Sequence, residues 1–492
     1  MTGPAFGGTG RGTGAPSRAT DTRETAGAVL AVLAAGLALR LIIAYLLPGS
    51  GFATDIAAFD AWARNLAAEG PLGFYGRPFF HDYMPGYLYA LWAVGLVGNL
   101  LGGVGDLIKV PPILADLATG WLVHSMIIEL GGRRRLALIG AAVTVLNPIS
   151  WFDSVVWGQV DSVGVVFMLL GLRELWRDRP ERAAVWAVVG AIIKPQLGIL
   201  IPLVAVVTVR RAIWPGGGGG DPIRTGRPIR VLTTGVVGFI TAVLLCLPFG
   251  LSVVGFSAEA PFIQSGLADQ LAVTAGGYPY LTVNAYNPWA LVPSDLGLSF
   301  ANANQWVCDF AGSRSPATVG THFCAFGSAT IGGIPAVLVG SALLLATVAL
   351  ILWVVARRPD RLMLLMGLAV LALAFFVLPT RVHERYGYPF FALGVVLAAV
   401  SVRWRVPYIA LTAATFANIY VVLTTLYPGN PSIMDWLGIG QALRSEPAVI
   451  GIALVHGVAV VWALLELRRE TREPSAGWLI AAPMPAPSRA TR

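Results

Sequence analysis

Apolar stretches of roughly 17–25 residues, the length that a bilayer core demands, recur along the whole of this 492-residue chain. That feature restricts the chain to an all-α fold, a polytopic bundle of transmembrane helices. The candidate spans are 26–47, 110–130, 136–152, 161–175, 183–193, 196–209, 231–250, 331–355, 362–379, 389–402, 407–426 and 449–466, about twelve in all. Composition agrees: 12% charged residues against 56% hydrophobic ones is too little charge to cover a soluble surface of this size. The net charge of +8 does not point to nucleic acid. In this class, arginines on cytoplasmic loops orient the spans and meet anionic lipid.

The basic residues set the threading. The stretch 84–104 (MPGYLYALWAVGLVGNLLGGV) is also apolar. Counting it as a span would place Arg133, Arg134, Arg135, the arginines of WRDRPER (176–182), Arg210 and Arg211 outside, against the positive-inside rule. It is therefore expected in the outer interface or as a partly buried re-entrant segment; its tyrosines at the start and glycines at the end suit an interfacial helix. With that choice 25 of the 32 arginines are cytoplasmic, Arg40 is within a span, and Arg64, Arg77, Arg314, Arg381, Arg385 and Arg444 lie outside, as do both lysines, Lys109 and Lys194. Twelve crossings put both termini in the cytoplasm of a cell-membrane protein. The pair of spans within 183–209 is either short or dips only partway into the membrane.

The expected organisation is a disordered cytoplasmic tail (1–25), a catalytic transmembrane region (26–402) with outer loops 48–109 and 251–330, additional C-terminal spans (403–470), and a cytoplasmic tail (471–492). The run 26–47 is a retained span rather than a signal peptide: it is long, carries Arg40, and no small-x-small site directly follows it. PGGGGGDP (215–222) lacks the Lys-Ser/Thr of a phosphate-binding loop and reads as a linker. Cys246 reads as a small core residue. Cys308 and Cys324 share one outer loop, where a disulfide is compatible with an oxidising compartment.

Four outer segments gather the unusual polar residues. The loop 48–84 has Asp55, Asp60, Glu69, His81 and Asp82. NPISWFDSVVWGQVDS (147–162) has Asp153, Gln159 and Asp161 at the mouth of two spans. The KPQ turn has Lys194, and RVHERYGYP (381–389) has Arg381, His383, Glu384 and Arg385. Charges beside apolar spans are expensive, so they pair or line a wet cavity. Phe59, Trp62 and Leu66 mark an amphipathic interfacial helix on which Asp60 and Arg64 pair at i, i+4. Asp55 falls just before it, either free to act on a ligand or serving as its cap. Lys194 either contacts phosphate or snorkels at a helix end. Arg40 is expected to pair with an outer-loop carboxylate, and His456 to be a satisfied core histidine.

A lipid-phosphate sugar donor would suit this set. Its phosphate leaving group needs cations to take up developing charge, and Arg381, His383, Arg385 and Lys194 can supply them. The acceptor hydroxyl needs a base, which an outer carboxylate can provide. Amides such as Gln159, and aromatic rings such as Tyr83, Trp157 and Tyr278, suit a sugar, although many of the outer aromatics belong to the interfacial belt.

At these residues the chain resembles the GT-C superfamily of polytopic glycosyltransferases, and within it the bacterial relatives of the GPI-anchor mannosyltransferases. The motifs are TDIAAFDAWARNLAAEGPLGFY (54–75), HDYMPGYLYALW (81–92), KVPPILADLATGWLVH (109–124), NPISWFDSVVWGQVDSVGVVFMLLGL (147–172), IIKPQLGILI (192–201), YPYLTVNAYNPWAL (278–291) and VHERYGYPFFALG (382–394). They run in the family's order and cover roughly the first 390 residues.

The resemblance implies a polyprenyl-phosphate sugar donor, a glycolipid or glycan acceptor, and an extracytoplasmic site. Asp55 stands at the family's base position, Asp82 at its second acidic position, and His383, followed by Arg385, near the donor phosphate. Met84 stands where the family often has proline. Most of the group work without a tightly bound metal, so no cofactor is expected, although Asp55, Asp82 and Glu384 are oxygen ligands compatible with a divalent cation. The expected function is transfer of a hexose, mannose by the resemblance. A transporter or lipid flippase also suits twelve spans with buried charge, but its internal repeat is not seen. A silent glycolipid-binding scaffold is a third reading.

Overall fold

A computed structural model describes residues 18–214, 226–254, 265–294, 297–298, 307–310, 329–427, 433–472 and 478–479. The expected tail before Arg18, the PGGGGGDP linker, Arg314, Cys324 and the last residues from 480 lie outside the described residues. Cys308 is disulfide-bonded, and Cys246 is free and buried.

Seventeen helices are described. They are α1 (Arg18–Leu46), α2 (Ala53–Glu69), α3 (Pro85–Leu101), α4 (Val110–Glu129), α5 (Arg134–Leu146), α6 (Pro148–Trp151), α7 (Asp161–Trp176), α8 (Pro180–Ile193), α9 (Leu200–Ile213), α10 (Ile229–Cys246), α11 (Leu267–Gly276), α12 (Ala336–Arg357), α13 (Arg361–Val377), α14 (Tyr388–Val400), α15 (Arg405–Val421), α16 (Gly440–Leu443) and α17 (Glu446–Arg472). Strands among the described residues are three two-residue pairs. The chain is thus an all-α bundle. α1 starts ahead of the apolar run, so residues 18–25 of the expected tail extend the first helix.

Eight helices among the described residues are long and apolar enough to cross a membrane. Several present apolar side chains outward: Leu30, Leu41, Leu244 and Leu345 are each more than half exposed, a surface that only a bilayer or a partner covers. The other expected spans are helices too, but α7, α8, α13 and α14 are shorter or less apolar than a lone span requires. For α13 and α14 the cause is position: both are buried along nearly their whole length, so their surroundings are protein rather than lipid.

The segment expected in the interface is α3, one arm of a hairpin that leaves and returns to the same end of the bundle. Lys109, at the start of α4, donates through Nζ to Ser50 Oγ just after α1, at 2.8 Å. The chain therefore leaves α1 and enters α4 at the same end. Between them α2 and α3 pack as a hairpin, so closely that a Cβ on Gly95 would clash with the Ala63 carbonyl oxygen.

Arg40 anchors the interior. It lies fully buried and pairs with Asp116 at 2.7 Å, while also donating to the Val145 carbonyl and to Ser150 Oγ. The expectation of an outer-loop partner is corrected: Asp116 belongs to α4. A helix-borne carboxylate is the better partner because its position is fixed, which a buried ion pair needs. The other Asp116 oxygen accepts from Tyr388 Oη at 2.9 Å, so this pair also fixes the start of α14, directly after RVHERYG. His456 is satisfied as expected, between Thr415 Oγ1 (3.0 Å) and the Tyr286 carbonyl (2.9 Å).

Candidate active site

The helix ends after Arg40 converge on a cavity of ≈ 340 Å³. Asp55 enters it from α2. The helix begins at Ala53, so Asp55 lies in its first turn rather than before it, and the cap position, Phe52, makes no side-chain capping bond. The capping alternative is thereby removed. Asp55 Oδ2 accepts from Trp157 Nε1 (3.2 Å) and Gln159 Nε2 (2.5 Å), and Oδ1 has no partner among the described residues. Gln159 does not line the cavity. It is buried behind Asp55, and its own carbonyl accepts from Tyr83 Oη at 3.2 Å. The amide is thus clamped, with its N–H₂ toward the carboxylate.

A local irregularity delivers these groups. Asn147 caps α6 through Ile149 N. The chain then widens into a π-helical stretch, Phe152–Trp157, which Gly158 ends at φ 80°. π-Helical turns re-aim side chains and concentrate at functional sites, and here one carries Asp153, Trp157 and the run into Gln159. Asp153 is buried, and its Oδ2 has no hydrogen-bond partner among the described residues.

The cationic side is built on Asp161, at the start of α7. Its Oδ2 accepts from Lys194 Nζ at 2.7 Å and its Oδ1 from Gln196 Nε2 at 3.2 Å, while Arg385 Nε stands 3.8 Å from Oδ2. Asp161 is a buried support, whereas Lys194, Gln196 and Arg385 line the cavity. Lys194 is only 5% exposed, which rules out snorkelling. Arg385 also donates to Glu384 Oε1 at 2.7 Å and lies 5.4 Å from the Trp157 ring centre.

His383 and Asp82 complete the lining. Burial, and then the charges of Arg385 and Lys194, hold the His383 imidazole well below its usual range, so it is neutral at pH 7. That corrects the expectation that it supplies a cation. Burial, and then the Asp55 charge, push Asp82 up to about 7. Burial also raises Glu384, against the pull of Arg385.

Arg381 is not part of this set. Its backbone is left-handed (φ 65°), and its guanidinium is held by Asp309 at 2.7 and 3.0 Å, away from the cavity. Asp60 pairs with Arg64 at 2.7 Å on the outer face of α2, as expected, and Phe59, Trp62 and Leu66 are its buried face. Asp55, Asp82 and Glu384 all line the cavity, but Glu384 is bound to Arg385, and among the described residues no group of three or more His, Cys, Asp or Glu stands at metal-ligand spacing.

Two cavity residues, Gln196 and Tyr427, were not singled out from the sequence, whereas the strip from Tyr278, named there, does line the cavity. Gln196 lies two residues after Lys194, so the KPQ turn already contained that signal. The strip Tyr278–Asn284 reaches the site because Val283 N donates to the Val382 carbonyl at 2.8 Å. Tyr427, bonded to Asn284 Nδ2 at 2.7 Å, lines the cavity from the end of α15, so the C-terminal spans are part of the site rather than an addition to it. No protein-family model matches the chain, and no curated protein shows significant similarity to it.

Proposed function

We propose that this protein is a membrane glycosyltransferase. It moves a hexose, mannose by the family resemblance, from a polyprenyl-phosphate donor to a glycolipid or glycan acceptor. Asp55 Oδ1 takes the proton of the acceptor hydroxyl. The acceptor oxygen bonds to the anomeric carbon, and the bond from that carbon to the donor phosphate breaks, with its electron pair leaving on polyprenyl phosphate. Attack opposite the leaving group inverts the anomeric centre. Lys194 and Arg385 take up the charge that grows on the phosphate. Neutral His383 offers a hydrogen bond, and Asp82 and the aromatic walls hold the sugar or the acceptor.

The observation that carries this reading is one cavity lined by both a carboxylate with an uncommitted oxygen and two cations, Lys194 and Arg385, that share Asp161 behind them. The topology belongs to the same proposal: about twelve crossings, both termini in the cytoplasm, and a site on the extracytoplasmic face of the cell membrane. In its support, the arginine-rich turns at 129–135, 176–182 and 401–405 lie across the bundle from the cavity. His383 precedes α14 and Arg405 follows it, and thirteen helical residues span about 20 Å. The test is radiolabelled hexose transfer from polyprenyl-phosphate donor in proteoliposomes. Donor-dependent transfer by the wild type, lost in Asp55→Asn, is expected. Translocation of lipid or solute without transfer would replace the proposal with the transporter reading.

A further inference from the structure

The end of the bundle remote from the site holds a larger cavity, ≈ 560 Å³, which the proposed reaction does not use. α14 packs against both α5 and α15 and lays Val395, Ala398 and Ala399 on the floor between them. Ile139 of α5 and Ile409 of α15 are 48% and 66% exposed, so the slot opens on the apolar flank where acyl chains run.

Its rim is cationic. Arg133, Arg135 and Arg405 all line it. Arg133 and Arg135 are exposed, and their guanidinium groups make no hydrogen bond or ion pair among the described residues. Arg405 commits only Nε, to the Ala398 carbonyl at 3.1 Å. Nearby acids are taken: Glu129 by Arg173 and Arg177, and Glu466 by Arg403. Three guanidinium groups therefore stand at the mouth of an apolar slot with no carboxylate paired to them among the described residues.

We propose that this slot binds an anionic phospholipid. The phosphate is held by Arg133, Arg135 and Arg405, and one acyl chain lies over Ala398 and Ala399 between α5 and α15. The guanidinium fork matches phosphate oxygens, and basic pockets between membrane helices select anionic headgroups in this way. The volume is in the range of small-molecule sites. A zwitterionic lipid lacks the net charge, and a soluble phosphate leaves the slot unfilled.

The test is native mass spectrometry of the full chain in detergent, titrated with dioleoyl phosphatidylglycerol, dioleoyl phosphatidylcholine or glycerol 3-phosphate. Phosphatidylglycerol is expected to bind about tenfold or more tighter than phosphatidylcholine, with glycerol 3-phosphate unable to displace it. The triple variant Arg133→Gln, Arg135→Gln, Arg405→Gln should lose that preference. Ala399→Phe fills the slot yet leaves the three arginines, and with them the topology signal, in place. It should weaken phosphatidylglycerol by a similar factor, and it decides the matter if the triple variant fails to insert. Equal binding of the two lipids, or full binding by Ala399→Phe, would overturn the proposal. Displacement by glycerol 3-phosphate would mean a soluble-phosphate site. Because Leu479 also lines the slot, the last arm is a chain that ends before Trp478: a rise of about tenfold in lipid binding would make the chain's own C-terminal segment the occupant and overturn the proposal.

Discussion

Glu129, Asp178, Glu181 and Glu466, at the arginine-rich end, each have a guanidinium within 3.2 Å. Asp55 and Asp82, at the other end, have no ion pair among the described residues, although Lys194 and Arg385 line the same cavity. Those two cations are bound to other carboxylates, Asp161 and Glu384. The first arrangement fastens helices, since each pair joins two elements. The second keeps carboxylates and cations apart in one water-accessible space, which costs stability and is characteristic of sites that wait for a ligand. The comparison thus separates charges that hold the bundle from charges that can act.

The sharpest way to break it is Asp55→Asn. If Asp55 is the base, hexose transfer should fall by at least about 100-fold, with an unchanged melting temperature in detergent, because the amide keeps the Trp157 and Gln159 neighbours. Full turnover by the purified variant would remove Asp55 from the chemistry. At the other end, Glu129→Gln should do the reverse. It weakens two charge-assisted bonds, to Arg173 (2.5 Å) and Arg177 (2.8 Å), and should lower stability by about 1–3 kcal/mol while transfer by the folded fraction persists. If transfer collapsed with stability intact, the two ends would not be functionally separate.

How much of this was legible differs between the same two ends. Helix existence, the Asp60–Arg64 pair and the satisfied core position of His456 follow from hydropathy and period, which are local signals. The site's second wall does not. Val283 meets Val382 across a separation that no spacing rule covers, and Tyr427 ends an apolar span like many others. Arg381 and Arg385 are indistinguishable in RVHERYG as sequence. Only the left-handed backbone at Arg381 and the presence of Asp309 send one away from the cavity that the other enters. His383 likewise reads as a cation until its burial beside Arg385 and Lys194 is known.

Asp82 offers a smaller effect with a defined sign. Its folded pKa, raised to about 7, exceeds the unfolded value near 3.8. The folded state therefore holds a proton that the unfolded state releases between those values. The stability associated with this proton is complete below about pH 4 and is lost as pH rises to about 7. Asp82→Asn removes the titration. The variant should gain stability over the wild type as pH rises from 5 to about 8, by on the order of a few kcal/mol at most. Thermal melts of both proteins across that range check it. Using the difference between them cancels His383, whose depressed pKa acts in the opposite direction. A pH-independent difference would mean that Asp82 is not held protonated beside Asp55.

The smallest expected effect tests the comparison within one helix. Asp60 lies five residues beyond Asp55 on α2 and has the same side chain, but both its oxygens accept from Arg64 on the outer face. Such exposed i, i+4 pairs contribute little. Asp60→Asn should leave both transfer and melting temperature within error of the wild type, whereas Asp55→Asn removes transfer. The two substitutions remove the same formal charge from the same helix, so a general electrostatic role of α2, such as steering an anionic donor, would make them equal. Unequal outcomes trace the function to what Asp55 alone has: a position in the first turn, where the helix end favours a carboxylate, an amide clamped against one oxygen, and the other oxygen uncommitted. A loss of transfer in Asp60→Asn matching that of Asp55→Asn would return the role to the charge of the helix as a whole.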